Sequence, residues 1–542
     1  MLKLVLGASG SGKTTLLYAR IRARAEAGKR SILLVPEQFT SSTEARIYRE
    51  LGDALSGMVE SYSFTSLAEH ILAVEGGAAV QTLTDAGRAV LVRRALEELQ
   101  DNVHYYYRHR RSAAFCQMAA ETIDELKSAG LSGQQLQELA RDCGTESAKL
   151  GELALIFQGY ESLLAGTGMD PADRLELAAD RLEAALARDE LPDFLREREV
   201  FIDEFDTFNA PKKRLMGAML AALPAVTVAL CEDGAPMQPG DLELFSGAKQ
   251  VAAQLRQLAR KNGAQVAAPE LLRRDLRHKD APGLAALTEL LETGSCTPPE
   301  SASELRLFAA ASREEEARCA AAAIRRLMRQ GVRCGKIAVV CRDISLYRAA
   351  VRYEFRMAEI PLYCDEPTTP EFSAPATAVR ALLALLRGAD MTEQLTVLAK
   401  TGLCDLTEPE VCALENYAYT WSPNAAAWRA EFTKSPRGFG DAELTEEDTL
   451  NLTRAENARK KLVTAVDTLR SKVRSANAEQ ISRALYFCLK ELGAEGQQAA
   501  QVEDIRAARG IPAAEEAARE WNVVMQLLDE MARLLGSQGI TV

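Results

Sequence analysis

The chain has 542 residues, of which 47% are hydrophobic and 26% charged, and its net charge is −12. This length suits roughly three to four domains with ordinary hydrophobic cores. The acidic total disfavours a general nucleic-acid coat but leaves room for a local basic groove. No apolar run approaches the roughly 20 residues of a membrane helix, so we expect no membrane contact.

The cysteines and histidines narrow the chemistry further. Eleven cysteines are scattered singly without a C-x-x-C pair, which favours reduced thiols and a cytoplasmic location. The chain has four histidines, so catalysis or metal binding by histidine is disfavoured.

The first element in chain order is an apolar strand, LKLVL, followed directly by a glycine-rich stretch and a helix. The stretch GASGSGKTT fits the phosphate-loop pattern G-x-x-x-x-G-K-[ST], in which backbone N–H groups surround the phosphates. Lys13 is predicted to reach the β- and γ-phosphates of ATP, and the Thr14 hydroxyl to ligate Mg²⁺. The alternative is a glycine- and serine-rich turn without a ligand. The predicted ATP-binding residues are Gly7, Ala8, Ser9, Gly10, Ser11, Gly12, Lys13, Thr14 and Thr15.

Further strands and a long helical stretch follow. Residues 31–40 (SILLVPEQFT) read as a buried strand, and a third short strand runs into a helix near Ser66. Residues 82–187 show apolar residues at helical spacing, and strands return at 198–206 and 225–233. This order predicts a parallel α/β domain with an inserted helical lobe.

A second α/β unit is predicted after a loose basic linker that contains LLRRDLRHK. Its strands would be Glu304–Ala310, Gly335–Arg342 and Ile360–Cys364, with a helix from Ser312 to Gly331 between the first two. Beyond Gly388 the pattern is helical again. The chain lacks an evident continuation after its last helix, which predicts that it stops within a domain.

An acidic pair at a strand end supplies the second half of the expected ATP site. In VFIDEF, Asp203 is predicted to hold Mg²⁺ and Glu204 to polarise the attacking water. An acidic turn at the end of a strand is the alternative. Its pairing with the glycine-rich loop favours an ATPase-type site.

These stretches, in this order, resemble the AddB (RexB) family of helicase–nuclease subunits, which is related to superfamily 1 helicases. The resemblance rests on GASGSGKTT, LVPEQFTSSTEARIYREL, VESYSFTSLAEHIL and VFIDEFDTFNAPKKRLM, and continues through ASREEEARCAAAAIRRLMRQGVRCGKIAVVCRD. It implies a first RecA-like domain in residues 1–80 and 197–280, with a helical insertion in 81–196. It also implies the start of a second RecA-like domain in 281–388, with its own helical insertion, truncated, in 389–542.

The resemblance also implies partners and a pathway. The family pairs with an AddA-type motor subunit in a heterodimer that processes double-strand DNA ends for recombinational repair. The helicase-like part of AddB is associated with recognising single-stranded DNA. An iron–sulfur cluster belongs to a C-terminal nuclease domain, which we expect to lie outside this chain.

Two family features are matched imperfectly. The superfamily 1 motif G-D-x-x-Q is replaced by CEDGAPMQPGD, although Gln238 is nearby. Arg342 matches the position of a phosphate-contacting arginine, but an ordinary strand-end arginine is an equal alternative. We therefore expect the chain to bind ATP while being a weak motor by itself.

Candidate DNA contacts follow from the loops after the second and third strands: Gln38, Thr40, Ser63, Phe64 and Thr65. Plain turns explain them equally well. The run YYYRHRR (Tyr105–Arg111) interleaves aromatic and basic residues, as in single-strand binding sites, although a packed helix is the alternative. Trp421 and Trp428 are expected to cover the core of the last helical lobe.

The most favoured function is the ATP- and single-stranded-DNA-binding part of an AddB-type subunit. Two alternatives stay open: a free-standing superfamily 1 translocase, and a non-catalytic DNA-reading scaffold with a vestigial ATP site.

Overall fold

A parallel β-sheet organises the N-terminal part of the chain, in a computed structural model that describes residues 1–77, 82–235, 244–364, 372–440 and 443–536. The strands in chain order are β1 (Leu2–Gly7), β2 (Ser31–Leu34), β3 (Val59–Tyr62), β4 (Glu199–Ile202), β5 (Ala225–Cys231) and β6 (Glu270–Leu272). Their order across the sheet is β3-β2-β4-β5-β1-β6, and neighbouring strands in this order pair in parallel. The predicted α/β class with a parallel sheet is confirmed.

Burial on both faces explains why the central strands read as continuous apolar runs. β2 and β4 are buried at all four positions, and β5 at six of seven. The register of β1 on β5, from Leu2 opposite Val226 to Gly7 opposite Cys231, brings the carboxyl ends of these strands level. That edge of the sheet carries the site described below.

Helices form most of the rest of the described chain. Up to residue 222 they are α1 (Lys13–Glu26), α2 (Thr40–Ser56), α3 (Phe64–Glu75), α4 (Asp85–Glu98), α5 (Ala113–Ser128), α6 (Gly133–Arg141), α7 (Ser147–Ala165), α8 (Pro171–Ala187) and α9 (Ala210–Ala222). They continue with α10 (Ser246–Lys261), α11 (Pro282–Thr293), α12 (Arg313–Arg329), α13 (Ile344–Met357), α14 (Ala374–Leu386), α15 (Met391–Lys400), α16 (Glu408–Trp421), α17 (Ala425–Arg429), α18 (Glu446–Lys472), α19 (Ala478–Glu491), α20 (Ala494–Arg509) and α21 (Ile511–Leu535).

The chain divides into two compact units. Unit 1 takes in residues 1–64, 193–208 and the described residues from 219 to 364, and contains the sheet. Unit 2 takes in residues 65–192, 209–218 and the described residues from 372 onward, and is helical.

Unit 2 joins helices from distant parts of the chain. In α21, the buried Glu530 accepts a hydrogen bond from the Thr84 backbone N–H at 2.9 Å and another from the Thr84 hydroxyl, just ahead of α4. Leu534 packs in the same core cluster as Leu91 of α4. A second core cluster holds the fully buried Trp428, with Trp421 partly buried against it, as predicted for the last helical lobe.

The predicted linker around LLRRDLRHK is partly wrong, because its first residues form β6. Leu271 and Leu272 pair with Leu6 and Gly7 of β1 at the edge of the sheet. Three residues beside a charged run give too short a periodic signal to indicate a strand.

The second set of predicted strands is wrong within the described residues. Glu304–Ala310, Gly335–Arg342 and Ile360–Cys364 form no strand there, and Leu307 and Val340 are 99% and 90% exposed. A strand needs a neighbour for its N–H and C=O groups, and no described segment pairs with these. The intervening helix is confirmed: Ser312 caps α12 by accepting from the Glu315 N–H at 3.3 Å.

Within the part of the chain that the structure describes, no helix is both long and apolar enough to span a membrane.

Candidate nucleotide-binding site

The glycine-rich stretch forms a loop between β1 and α1. Gly10 and Gly12 have φ of 82° and 89°, in the left-handed region that favours glycine. A Cβ on Gly10 would lie 2.9 Å from both the Arg277 Cβ and the Asp275 Oδ1. Glycine is therefore required at Gly10 both by the backbone conformation and by the close approach of the segment after β6.

Lys13 begins α1 and turns its side chain back over the loop. Its ammonium donates to the carbonyl oxygens of Gly7 at 2.8 Å and Ala8 at 2.9 Å. Burial lowers the pKa of Lys13 from its ordinary value, while nearby Asp203 acts in the opposite direction. An anion placed in the loop would favour the charged ammonium.

Asp203 follows β4 directly and is 5% exposed. Its carboxylate accepts a hydrogen bond from the Glu204 N–H at 3.0 Å and another from the Thr14 side chain. Burial nonetheless raises the pKa of Asp203. The two residues predicted to share Mg²⁺, Thr14 and Asp203, are thus already in contact.

Glu204 is exposed and has an unusual backbone. Its φ is 64°, a left-handed conformation that is uncommon for a residue with a side chain. Burial of part of its carboxyl and the adjacent charge of Asp203 both raise the pKa of Glu204. Such strain at a strand end is typical of functional sites.

A cavity of about 450 Å³ lies over the loop. Three cations, Lys13, Arg46 and Arg277, face three carboxylates across it. Its lining consists of Ser9, Gly10, Gly12, Lys13, Thr14, Thr15, Arg46, Asp203, Glu204, Phe205, Asp206, Ala229, Cys231, Leu276 and Arg277. The predicted loop residues and the acidic pair therefore meet in one cavity of unit 1.

Arg46 and Arg277 are the two cations of the cavity that sequence reasoning missed. Arg46 lies on α2 with its guanidinium 4.8 Å from the centre of the Tyr18 ring. Arg277 donates to the Ser9 hydroxyl at 3.2 Å, and the Leu276 N–H donates to the Gly10 carbonyl at 3.0 Å. Arg277 lay in a basic run that the sequence did flag, whereas no local pattern distinguishes Arg46.

The donor set fits a nucleotide phosphate with a divalent cation. Two polar atoms, the Ser11 Oγ and the Arg46 Nε, are buried without a hydrogen-bond partner among the described residues. Arg46 lines the cavity and Ser11 belongs to the loop beneath it, and unpartnered groups of this kind match what phosphate oxygens would satisfy. The carboxylate and hydroxyl of Asp203 and Thr14 are oxygen ligands of the kind that Mg²⁺ prefers.

Arg342 is exposed and does not line this cavity. Its contact with phosphate stays a prediction. Residues 236–243, which hold Gln238 and most of the stretch compared with G-D-x-x-Q, lie outside the described residues.

The predicted DNA contacts follow β2 and β3. Gln38 is exposed in the 3₁₀ turn Glu37–Phe39, and Thr40 begins α2. Ser63 is buried, and Phe64 is 2% exposed, with its ring edge-on to Phe205 at 5.2 Å.

Thr65 lies in the first turn of α3. The Phe64 ring offers no free face for stacking in this conformation. DNA contact by these five residues stays a prediction.

The parallel sheet and the phosphate-loop geometry define an α/β protein with a nucleotide-binding motif at the carboxyl edge of its sheet. The family model for the N-terminal part of AddB matches residues 4–288, more than half of the chain. The chain belongs to the AddB family.

Curated relatives extend the similarity over the whole chain. The AddB-type ATP-dependent helicase/deoxyribonuclease subunit from Moorella thermoacetica is 30% identical over 99% of this chain and 48% of its own length. The proteins of the same name from Desulforudis audaxviator and Heliobacterium modesticaldum are 29% and 28% identical, over 48% and 45% of their lengths. The chain thus spans about half the length of the curated relatives it matches.

Proposed function

We propose that this chain is the helicase-like part of an AddB-type subunit, which binds ATP with Mg²⁺ and contacts single-stranded DNA. The observation that carries the proposal is the convergence of Lys13, Thr14 and Asp203 in one cavity at the edge of a parallel sheet. The sheet of unit 1 belongs, on this proposal, to a RecA-like domain. The chain then consists of a first RecA-like domain in 1–80 and 197–280, a helical insertion in 81–196, the start of a second RecA-like domain in 281–388 and a truncated helical insertion in 389–542.

Each cavity residue has a role in this proposal. Lys13 holds the β- and γ-phosphates, the loop N–H groups surround them, and Thr14 with Asp203 holds Mg²⁺. Bound Mg²⁺ would neutralise phosphate charge. Glu204 orients water at the exposed side of the cavity, and Arg46 and Arg277 supply further positive charge to the phosphates.

The whole protein would have the activity that the names of its relatives state: it would take part in the ATP-dependent unwinding and degradation of DNA. Its partner would be an AddA-type subunit, its substrates double-stranded DNA ends and the single strands made from them, and its location the cytoplasm. Any iron–sulfur cluster would belong to a region outside this chain. By itself the chain would bind ATP and turn it over weakly.

Binding of a fluorescent ATP analogue to the purified chain tests the nucleotide site. Lys13→Ala should abolish binding, since it removes the ammonium that faces the phosphates. Lys29→Ala, an exposed lysine just past α1, is the matched control and should bind normally. Equal binding by both variants would overturn the proposal.

Hydrolysis with and without single-stranded DNA tests the motor. Turnover at the level of Lys13→Ala would support a nucleotide clamp whose motor lies in the partner subunit. Strong DNA-stimulated turnover that Lys13→Ala removes would contradict the weak-motor proposal and favour a free-standing translocase.

A further inference from the structure

We propose that the loop of residues 104–111 in unit 2, here called the Tyr-Arg loop, is a binding site for single-stranded nucleic acid. It is separate in sequence from Gln38–Thr65 and from the phosphate loop. It rests on the proposed function only in sharing its class of ligand. Four features of the loop carry the inference: its fixed backbone, its exposed ring, its cations and, among the described residues, the absence of ion pairs on its three arginines.

The backbone of the Tyr-Arg loop is fixed by one carboxylate. Glu152 of α7 accepts hydrogen bonds from the N–H groups of His104 at 3.0 Å, Tyr105 at 2.8 Å and Tyr106 at 3.1 Å. Three consecutive N–H groups converging on one side chain give the loop a defined shape before any ligand binds. A ligand would therefore meet a preorganised surface.

The tyrosines of the loop differ in their surroundings: Tyr106 packs against the helical core, whereas Tyr105 is exposed. Tyr106 stacks on Phe115 of α5, with ring centres 5.5 Å apart and an angle of 24°, which holds the loop to the helical core. Tyr105 is 44% exposed, although its size and apolar ring would favour burial. Its ring meets the Tyr106 ring edge to face with centres 4.9 Å apart, and its exposed part is available to a nucleobase.

Cations lie over two rings of the loop, the exposed ring of Tyr105 and the half-buried ring of Tyr107. The Arg108 guanidinium lies 5.9 Å and the Lys149 ammonium 5.4 Å from the centre of the Tyr105 ring. The Arg110 guanidinium lies 3.9 Å from the centre of the Tyr107 ring. Aromatic faces bordered by cations are the arrangement that binds bases and phosphates of a single strand together.

The arginines of the loop carry uncompensated charge. None of Arg108, Arg110 and Arg111 makes an ion pair with a carboxylate among the described residues, although the chain as a whole carries a net charge of −12. On neighbouring α4, by contrast, Arg93 and Arg94 pair with acidic residues one turn on. Two carboxylates near Tyr106 have other partners: Glu152 accepts backbone N–H groups, and Glu146 pairs with Lys149 at 3.0 Å.

This combination favours a single strand over a duplex. Phosphates of a duplex would use the arginines alone, whereas its stacked bases could not reach Tyr105. Acidic partner proteins would likewise use the cations and gain less from an exposed ring. Loss of binding on removal of the ring therefore distinguishes the proposed ligand from these others.

The test uses fluorescence anisotropy of a labelled oligothymidylate of about 20 nucleotides, longer than common single-strand sites, with the whole chain. Tyr105→Ala should weaken binding at least about fivefold, the effect of losing one stacked base. Tyr105→Phe should retain wild-type affinity, because the Tyr105 hydroxyl makes no hydrogen bond within the part of the chain that the structure describes and the stacking face remains. Thermal unfolding of each variant controls for folding.

The charges are tested by the double variant Arg108→Gln with Arg111→Gln. It should weaken binding and reduce the slope of log affinity against log salt by about 1.4, or about 0.7 for each lost phosphate contact. The matched control, Arg326→Gln with Arg329→Gln on the exposed face of α12, changes net charge equally and should leave affinity and slope unchanged.

The outcomes separate this inference from the proposed function. Wild-type affinity in both Tyr105→Ala and the Arg108/Arg111 variant, with oligothymidylate still bound, overturns the Tyr-Arg loop alone. Loss of affinity in the arginine variant but not in Tyr105→Ala points to a duplex or an acidic partner and also overturns it. Binding of the ATP analogue should be normal in every loop variant, so a failed nucleotide site would be visible independently.

Discussion

Arg277 offers the sharpest test of the cavity, because it approaches the phosphate loop from a part of the chain remote in sequence. We predict that Arg277→Gln weakens ATP binding about tenfold. A hydrogen bond to a charged group contributes about 1.5–3 kcal/mol. Arg277 is exposed and solvent screens its charge, so the lower end applies, and about 1.4 kcal/mol corresponds to a factor of 10.

The assay is titration with a fluorescent ATP analogue at fixed Mg²⁺ and salt. Arg274→Gln is the matched control, since Arg274 lies three residues earlier in the same exposed segment, outside the cavity lining. Only Arg277→Gln should lose affinity, and raising the salt concentration should narrow the difference between the two. Equal affinities at low salt would refute the idea that the segment after β6 contributes charge to the bound phosphates.

Three further predictions concern the buried Asp203, the buried Trp428 and the carboxylate of Glu152 that holds the Tyr-Arg loop. Burial raises the pKa of Asp203, so as the pH falls its carboxylate should be protonated, and the Mg²⁺-dependent part of ATP binding lost, at a higher pH than for an ordinary aspartate. Titrations with ATP across pH, with and without EDTA, measure this part of the binding. Asp203→Asn should lack it at every pH. Trp428→Ala should destabilise unit 2 by about 3–5 kcal/mol, because the ring is fully buried in its core. Thr392→Val removes the acceptor of the indole N–H and should cost about 1–3 kcal/mol. Urea unfolding followed by circular dichroism measures both variants, and two equally stable variants would contradict the packing described for Trp428. Glu152→Ala should make trypsin cut the Tyr-Arg loop several-fold faster than in the wild type, with Glu121→Ala on α5 as a control, and an unchanged cutting rate would show that the carboxylate does not hold the loop.

The sequence was informative wherever the determining signal was local. The phosphate loop is a short pattern with fixed glycines, and β1, β2, β4 and β5 are largely apolar runs of the kind that a buried parallel sheet requires. Asp203 was found because it follows such a run. The place of Arg277 in the cavity depends instead on contacts between distant parts of the chain. Leu271 and Leu272 form β6 by pairing with β1, and this pairing brings Arg277 close to the phosphate loop.

The errors have the same origin. Glu304–Ala310 and Gly335–Arg342 carry the apolar pattern of strands, but a strand is completed by a neighbour, which a local pattern does not reveal. For Phe64 the sequence indicates a place near a loop but not the packing of its ring, and its contact with DNA stays a prediction. The Phe64 ring is buried against Phe205, which lies 205 − 64 = 141 positions later in the chain, so no local pattern shows this contact.

The hydrogen bonds from Thr84 to Glu530 have a consequence for how unit 2 folds during synthesis, because they join an early helix to the last one. The partners are 446 residues apart, so the first helices of unit 2 leave the ribosome long before the helix that completes their packing. At about 5–20 residues per second, the delay is roughly 20 to 90 s. During that interval the face of α4 that later contacts α21 is without its partner helix, so the core of unit 2 is completed only when the last helix has been made.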